Sequence, residues 1–267
     1  MPLVLSRHQL KGESTMNYLN DEQRQQIFDD GYTLIPGAVP PAKVAAALRA
    51  INSSLGERGI DPEQLITFRA QTYCPEITGS AAILDLLVGT PLWAMAESVI
   101  GEGTLKPVSH GQIALRFPIS GPAGEIHPHI DGMYTPHNGV EKGKIANFTA
   151  LVGVYLSDTP TDDAGNFTVW PGTHRLYADY FAQAGPTALL EGMPPISLPE
   201  PRQIRPHAGD AVISHYQIGH GIAPNVSGNI RYAVYFRLAR EGHDTISLDV
   251  MTDLWREWDG MRALAQP

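Results

Sequence analysis

Apolar positions recur every three or four residues up to Ile100; from Thr104 onward they fall into short alternating runs. In the first part, Asn20 caps a short helix, with Gln23 placed to return the cap and Ile27 and Phe28 as its apolar face. GYTLIPG (31–37) alternates as a strand, and Pro40 and Pro41 open a second helix with Val44, Leu48, Ile51 and Leu55 on one face. Helical runs follow over 81–88 and 92–100, the second entered by Pro91 and closed by Gly101. After Thr104 the runs LKPVSHGQIALRF, FTALVGVYL, NFTVW, QIRPH, DAVISHY and IRYAVYFRL read as strands divided by Gly, Pro, Asn and Asp turns. Leu254, Trp255, Trp258, Met261 and Leu264 predict a closing amphipathic helix docked on the core. Helices first and strands afterwards predict an α+β, mainly β fold: a sandwich or barrel with a helical flank. Residues 1–18 read as a loose arm and 19–267 as a single domain.

The length of 267 residues suits one domain with a full core. A formal net charge of −9 argues against a surface built for nucleic acid or anionic membrane. Cys74 is the only cysteine, which excludes an intramolecular disulfide and a thiolate zinc site. The opening MPLVLSRHQL is too short and interrupted for a signal peptide, and no apolar run approaches the ~20 residues of a membrane span. The expectation is a cytoplasmic protein, monomer or homodimer, with a small-molecule partner and neither nucleic acid nor membrane.

Chemistry gathers at two places. HPHIDG carries His129 and Asp131, whose side chains point the same way in an extended segment while Ile130 faces away. Far along the chain, ISHYQIGHGIAPN supplies His220, and Arg231 follows eleven residues later in a strand-like run. Two histidines and one carboxylate are the donor set of a facial iron site, which leaves half of an octahedron open for co-substrate and O₂. Long segments flank the motif: the polar stretch 132–147 and the proline-rich stretch 184–201 are candidate lids. A zinc hydrolase using the same triad, and a non-catalytic jelly-roll binding protein, are the alternatives. Arg231 also reads as a surface salt-bridge residue, and Gln112 as an ordinary strand residue.

The stretches NDEQRQQIFDDGYTLIPG, HPHID, GNFTVWPGTHR, GDAVISH and HGIAPNVSGNIR, in this order, resemble the phytanoyl-CoA dioxygenase family of Fe(II)/2-oxoglutarate oxygenases from about Leu19 to Leu238. The resemblance implies a double-stranded β-helix (jelly-roll, cupin-like) core with flanking N-terminal helices, and Fe(II), 2-oxoglutarate and O₂ as cofactor and co-substrates. It implies that His129, Asp131 and His220 are the iron ligands and that Arg231 clasps the far carboxylate of 2-oxoglutarate. Gln112 falls near a family position that contacts the co-substrate, and Arg69 near another. Arg69, Tyr134 and Trp170 are the candidate substrate contacts. Asp131 disfavours the halogenating relatives, which carry a small residue there, and the expected outcome is hydroxylation of a small organic molecule. Arg237 shares a strand face with Arg231; a similar pair occurs in AlkB-type nucleic-acid demethylases, but here Arg237 is expected to pair with a nearby acid or to end the strand.

Overall fold

The Asn20 cap forms as its sequence predicts. In this computed structural model, which describes residues 18–265, Asn20 Oδ1 accepts from the Gln23 amide at 2.8 Å and Gln23 Oε1 accepts from the Asn20 amide at 3.0 Å. Helix α1 (Asp21–Asp30) runs from that cap to Gly31, whose φ of 85° turns the chain into strand β1 (Tyr32–Ile35). Helix α2 (Pro41–Arg58) buries Val44, Ala47 and Ile51. Helices α3 (Leu65–Ala70), α4 (Ala81–Leu84) and α5 (Leu92–Ile100) follow. The run predicted helical over 81–88 is thus one turn of α-helix, continued by turns. Apart from Tyr18, the expected arm lies outside the described residues.

Strands β2 (Gln112–Arg116), β3 (Ala150–Tyr155) and β4 (Phe167–Trp170) come next, then helix α6 (Thr173–Ala184). Strands β5 (Arg202–Gln203), β6 (Ala211–His215), β7 (Gly219–Ile222) and β8 (Arg231–Leu238) and the short helix α7 (His243–Ile246) complete the fold. They form two antiparallel sheets, ordered β1-β6-β3-β8-β2 and β5-β4-β7. The large sheet is covered on both sides. On β3, Ala150, Val152 and Val154 join the helices in one apolar core, while Leu151 and Tyr155 join Phe167, Val169 and Ile218 of the small-sheet side in the other. Period-two alternation therefore sends alternate residues into different cores, and β3 is buried at every position. This is the jelly-roll with flanking N-terminal helices that the sequence predicts.

Three expectations need correction. More of the chain is helical than is in strands, so "mainly β" describes the core alone. Helix α6 was not predicted, although Tyr177, Ala178 and Phe181 form its buried face. The closing amphipathic helix does not form: 3₁₀ turns at Asp249–Met251 and Asp259–Met261 stand in its place. Trp258 and Met261 still dock in the core, but Trp258 at φ −119° and ψ 66° leaves the helical region, and Gly260 lies so tightly on the backbone of Ser98 and Val99 that any Cβ would collide. Among the described residues no helix is long and apolar enough to cross a membrane.

Candidate metal centre

The segment that carries His-x-Asp lies alongside β7. His129 and His220 exchange both backbone hydrogen bonds at 2.9 Å, which brings their rings to a centroid distance of 4.4 Å. Gly221 permits the approach, since a Cβ there would stand 2.8 Å from the His127 carbonyl oxygen. Beyond Asp131, Gly132 at φ 99° turns the chain away into the polar loop. Asp131 Oδ1 lies 3.9 Å from Nε2 of His129 and 3.9 Å from Nε2 of His220. Those separations are within the span of two metal–ligand bonds of about 2 Å each. The ligand atoms of all three residues lie within 4.8 Å of one another. His220 Nδ1 sits 3.0 Å from the Ile218 carbonyl, which can only accept, so that nitrogen carries the proton and Nε2 offers its lone pair.

Arg237 grips the other oxygen of the carboxylate. Its Nη2 and Nε lie 3.0 and 3.1 Å from Asp131 Oδ2, Nη1 donates to Gln112 Oε1 at 2.7 Å, and the guanidinium rests over the Phe148 ring. Asp131 is thereby held with Oδ2 occupied and Oδ1 turned to the two imidazoles. Burial pushes the Asp131 carboxyl upward, but Arg237 and the two histidines outweigh it and hold the group at about 2. The His129 side chain keeps 46% of its surface open to the cavity, yet desolvation by the surrounding wall, helped by His220, brings it down to about 4. At neutral pH the cluster is one carboxylate and a neutral His129, the charge state a divalent cation requires. The expectation that Arg237 pairs with an acid is met, and the acid is Asp131 itself.

The triad opens on a cavity of about 890 Å³ whose lining includes Gln112, Arg69, Arg116, Phe167 and Tyr235. Gln112 and Arg69 both line this cavity. Arg231, 1% exposed, does not itself line the cavity; it stands across the β2–β8 pair from Arg116, which does. Arg231 is no surface salt-bridge residue: Nε donates to the Gly165 carbonyl at 2.7 Å, Nη1 to the Ala114 carbonyl at 3.0 Å, and Nη2 is buried with no partner among the described residues. Trp170 and Tyr134 do not line the cavity. Trp170 is buried on the opposite face of β4 from the odd-numbered Phe167, so strand parity turns it away from the cavity. Tyr134 is 40% exposed, and its neighbours Met133 and Thr135 line the cavity instead. His215 is a core residue bonded to the Leu254 carbonyl; His110 borders the cavity beside Ser109. The stretch 132–147 walls the cavity, braced inside by Asn138 and tied to α3 through Gln71, which donates to the His137 carbonyl. The proline-rich stretch instead backs the triad, with Met193 Sδ against the Ile130 amide. The sequence reading missed Arg116 and Phe167, although alternation from Gln112 along β2 marks Arg116 for the same face.

Known proteins carry the same architecture. The nickel- and 2-oxoglutarate-bound HygX of Streptomyces hygroscopicus superposes with a TM-score of 0.57 at 18% identity, covering 83% of this chain and 87% of that one. The nickel complex of the non-haem monooxygenase ThoJ gives 0.55 at 20% identity, over 82% and 78% of the two chains. The α-ketoglutarate-dependent carbocyclase SnoK from nogalamycin biosynthesis gives 0.54 at 19%, over 85% and 86%. At these identities the likeness establishes the fold. No curated protein matches the chain. The model of the phytanoyl-CoA dioxygenase (PhyH) family matches residues 28–233, well over half of the sequence. With that span covered, and a two-histidine, one-carboxylate cluster at the head of the cavity, the chain belongs to the phytanoyl-CoA dioxygenase family and is an Fe(II)- and 2-oxoglutarate-dependent oxygenase.

Proposed function

We propose that this protein hydroxylates a C–H position of a small organic molecule, within one catalytic domain, using iron held by His129, Asp131 and His220. The observation that carries this reading is the convergence of those three donor atoms, with the carboxylate's spare oxygen already taken by Arg237. The residues fit the metal: the donors are imidazole nitrogen and carboxylate oxygen, and both the His220 tautomer and the Asp131 rotamer are fixed by hydrogen bonds. They suit the co-substrate too, since Arg231, across the strand pair from the cavity-lining Arg116, keeps a buried Nη2 without a partner among the described residues. Bound there, Fe(II) with 2-oxoglutarate and O₂ supplies the oxidising power for oxygen insertion, with 2-oxoglutarate converted to succinate and CO₂. The chain's own part is positioning and exclusion of water. Arg231 anchors the diacid, Phe167 and Tyr235 wall its path, and the braced 132–147 loop forms the rim over which the substrate enters.

The reading is tested by anaerobic titration of the apo-protein with Fe(II) and then 2-oxoglutarate. A weak visible charge-transfer band that grows with 2-oxoglutarate is the expected result. Tight metal binding without any band would return the site to hydrolysis or plain binding. A second expectation concerns Arg237→Met. Removing the partner that fixes a ligating carboxylate costs about 10–100-fold in metal affinity. Fe(II) competition against a chelating dye should show a loss of that size, with little change in thermal stability because Arg237 is 41% exposed. Unaltered affinity would mean that Asp131 needs no such support.

A further inference from the structure

Two arginines stand together on the β2–β8 side of the cavity: Arg116 lines it, and the buried Arg231 lies beside Arg116. Alternation in β2 puts Gln112, Ala114 and Arg116 on the cavity wall and Ile113 and Leu115 in the helix-side core. The antiparallel register sets Arg116 directly opposite Arg231. Residues so paired carry side chains on the same face, with Cβ atoms about 4.5–5.5 Å apart. Gly165 records how closely the two stems run. A Cβ added to it would lie 2.9 Å from Arg116 Cβ and 3.1 Å from Arg231 Cβ, so both arginines leave the sheet across the same glycine.

Neither guanidinium has a counter-ion. Arg231 spends two nitrogens on carbonyls and keeps Nη2 free; Arg116 makes one long hydrogen bond, 3.4 Å to the carbonyl of adjacent Leu115. Among the described residues eight arginines pair with a carboxylate within 4.0 Å; Arg116 and Arg231 do not, and neither do Arg24, Arg49 and Arg69. Beside them is Tyr235, also on the cavity wall, whose buried hydroxyl neighbours that of Tyr155. Two adjacent cations, Arg231 buried and Arg116 half-buried, are costly until an anion joins them. Burial and the nearness of Arg231 bring Arg116 down to about 10, which leaves it charged at neutral pH. The metal cluster occupies the other end of the same strand pair, where Gln112 meets Arg237.

We propose that Arg116 is a second guanidinium on the far carboxylate of 2-oxoglutarate, closing a two-arginine clamp with Arg231. This rests on the iron and 2-oxoglutarate reading above. The alternative occupant of Arg116 is an anionic group on the primary substrate, and the test separates the two.

The test is calorimetric titration of the anaerobic Fe(II)-loaded protein with 2-oxoglutarate and with 2-oxopentanoate, which keeps the chelating keto-acid head and lacks the far carboxylate. Charge-assisted hydrogen bonds of the kind proposed are worth tenfold or more in affinity. Arg116→Met should therefore weaken 2-oxoglutarate at least tenfold and leave 2-oxopentanoate within about twofold, with Arg116→Lys recovering part of the loss. Unchanged 2-oxoglutarate affinity in Arg116→Met would overturn the clamp and assign Arg116 to the substrate. An equal loss for both ligands would also overturn it, because Arg116 would then be shaping the cavity. Failure of the underlying reading looks different: the wild-type protein itself would bind the two ligands equally, or neither.

Discussion

Asp131→Ala is expected to lower Fe(II) affinity by at least about 10³-fold and to bring 2-oxoglutarate decarboxylation to background. The size follows from what surrounds the carboxylate. Asp131 supplies the anionic ligand of the cluster, and it neutralises Arg237, whose nitrogens lie 3.0 and 3.1 Å from Oδ2. Without it the ion loses an attraction worth about 4 kcal/mol for unit charges at ~4 Å in an effective dielectric of ~20, and each 1.4 kcal/mol is about tenfold. It also gains repulsion from a guanidinium that Gln112 alone would then hold. A double variant, Asp131→Ala with Arg237→Met, should recover part of the loss by removing that repulsion while staying below wild type. Dialysis against Fe(II) with metal analysis, alongside succinate release, measures both. Metal content close to wild type in the single variant would move the centre elsewhere.

The metal cluster was legible because its signals are local. His129 and Asp131 share a face by period two, and no tertiary detail can undo that parity within one extended segment. The distant partner His220 was reachable only through motif order, since nothing local says that β7 lies against the 127–131 segment. The pairing that brings them together is between backbones, and its one trace in the sequence is Gly221, which must lack a Cβ for His127 to approach. Arg237 was half legible. Its face could be counted from Arg231, but its partner could not be named without knowing that β8 and the His-x-Asp segment line one cavity.

The misreadings have equally particular causes. Trp170 looked like a pocket residue because it sits in a motif next to a tight turn, yet parity within β4 gives the cavity Phe167 instead. Tyr134 belongs to a loop, where no period fixes the direction of a side chain. The closing run has helical spacing and an apolar face, and it still folds as turns, with Trp258 outside helical dihedrals and Gly260 packed on the backbone of α5. Local pattern chose which residues were buried there, and tertiary packing chose the backbone that buries them. Arg116 is a different kind of omission. The parity argument used for the triad applies to QIALR without change, and the charge imbalance becomes visible only once the register sets Arg116 beside Arg231.

Arg231→Met is expected to raise the dissociation constant for 2-oxoglutarate about 100-fold while leaving Fe(II) binding near wild type. A carboxylate held by charge-assisted hydrogen bonds loses about 1.5–3 kcal/mol when the charged partner goes. The effect on the apo-protein carries a different sign. Arg231 is buried with no carboxylate beside it, so wild type bears the cost of that isolated charge until the diacid arrives. Methionine removes the cost but leaves the Gly165 and Ala114 carbonyls without their donor. The two changes oppose each other, each of order 1–3 kcal/mol. The melting temperature of the apo variant should consequently stay within a few degrees of wild type. Saturating 2-oxoglutarate should stabilise wild type by an amount that grows with the logarithm of its concentration over the dissociation constant, and that gain should largely disappear in the variant. Thermal melts of the Fe(II)-loaded proteins under argon, with and without 2-oxoglutarate, read both quantities at once. A variant that melts far below wild type before ligand is added would make Arg231 a structural residue first, whereas a full 2-oxoglutarate shift in a normally stable variant would place the co-substrate's far carboxylate on another cation, with Arg116 the nearest.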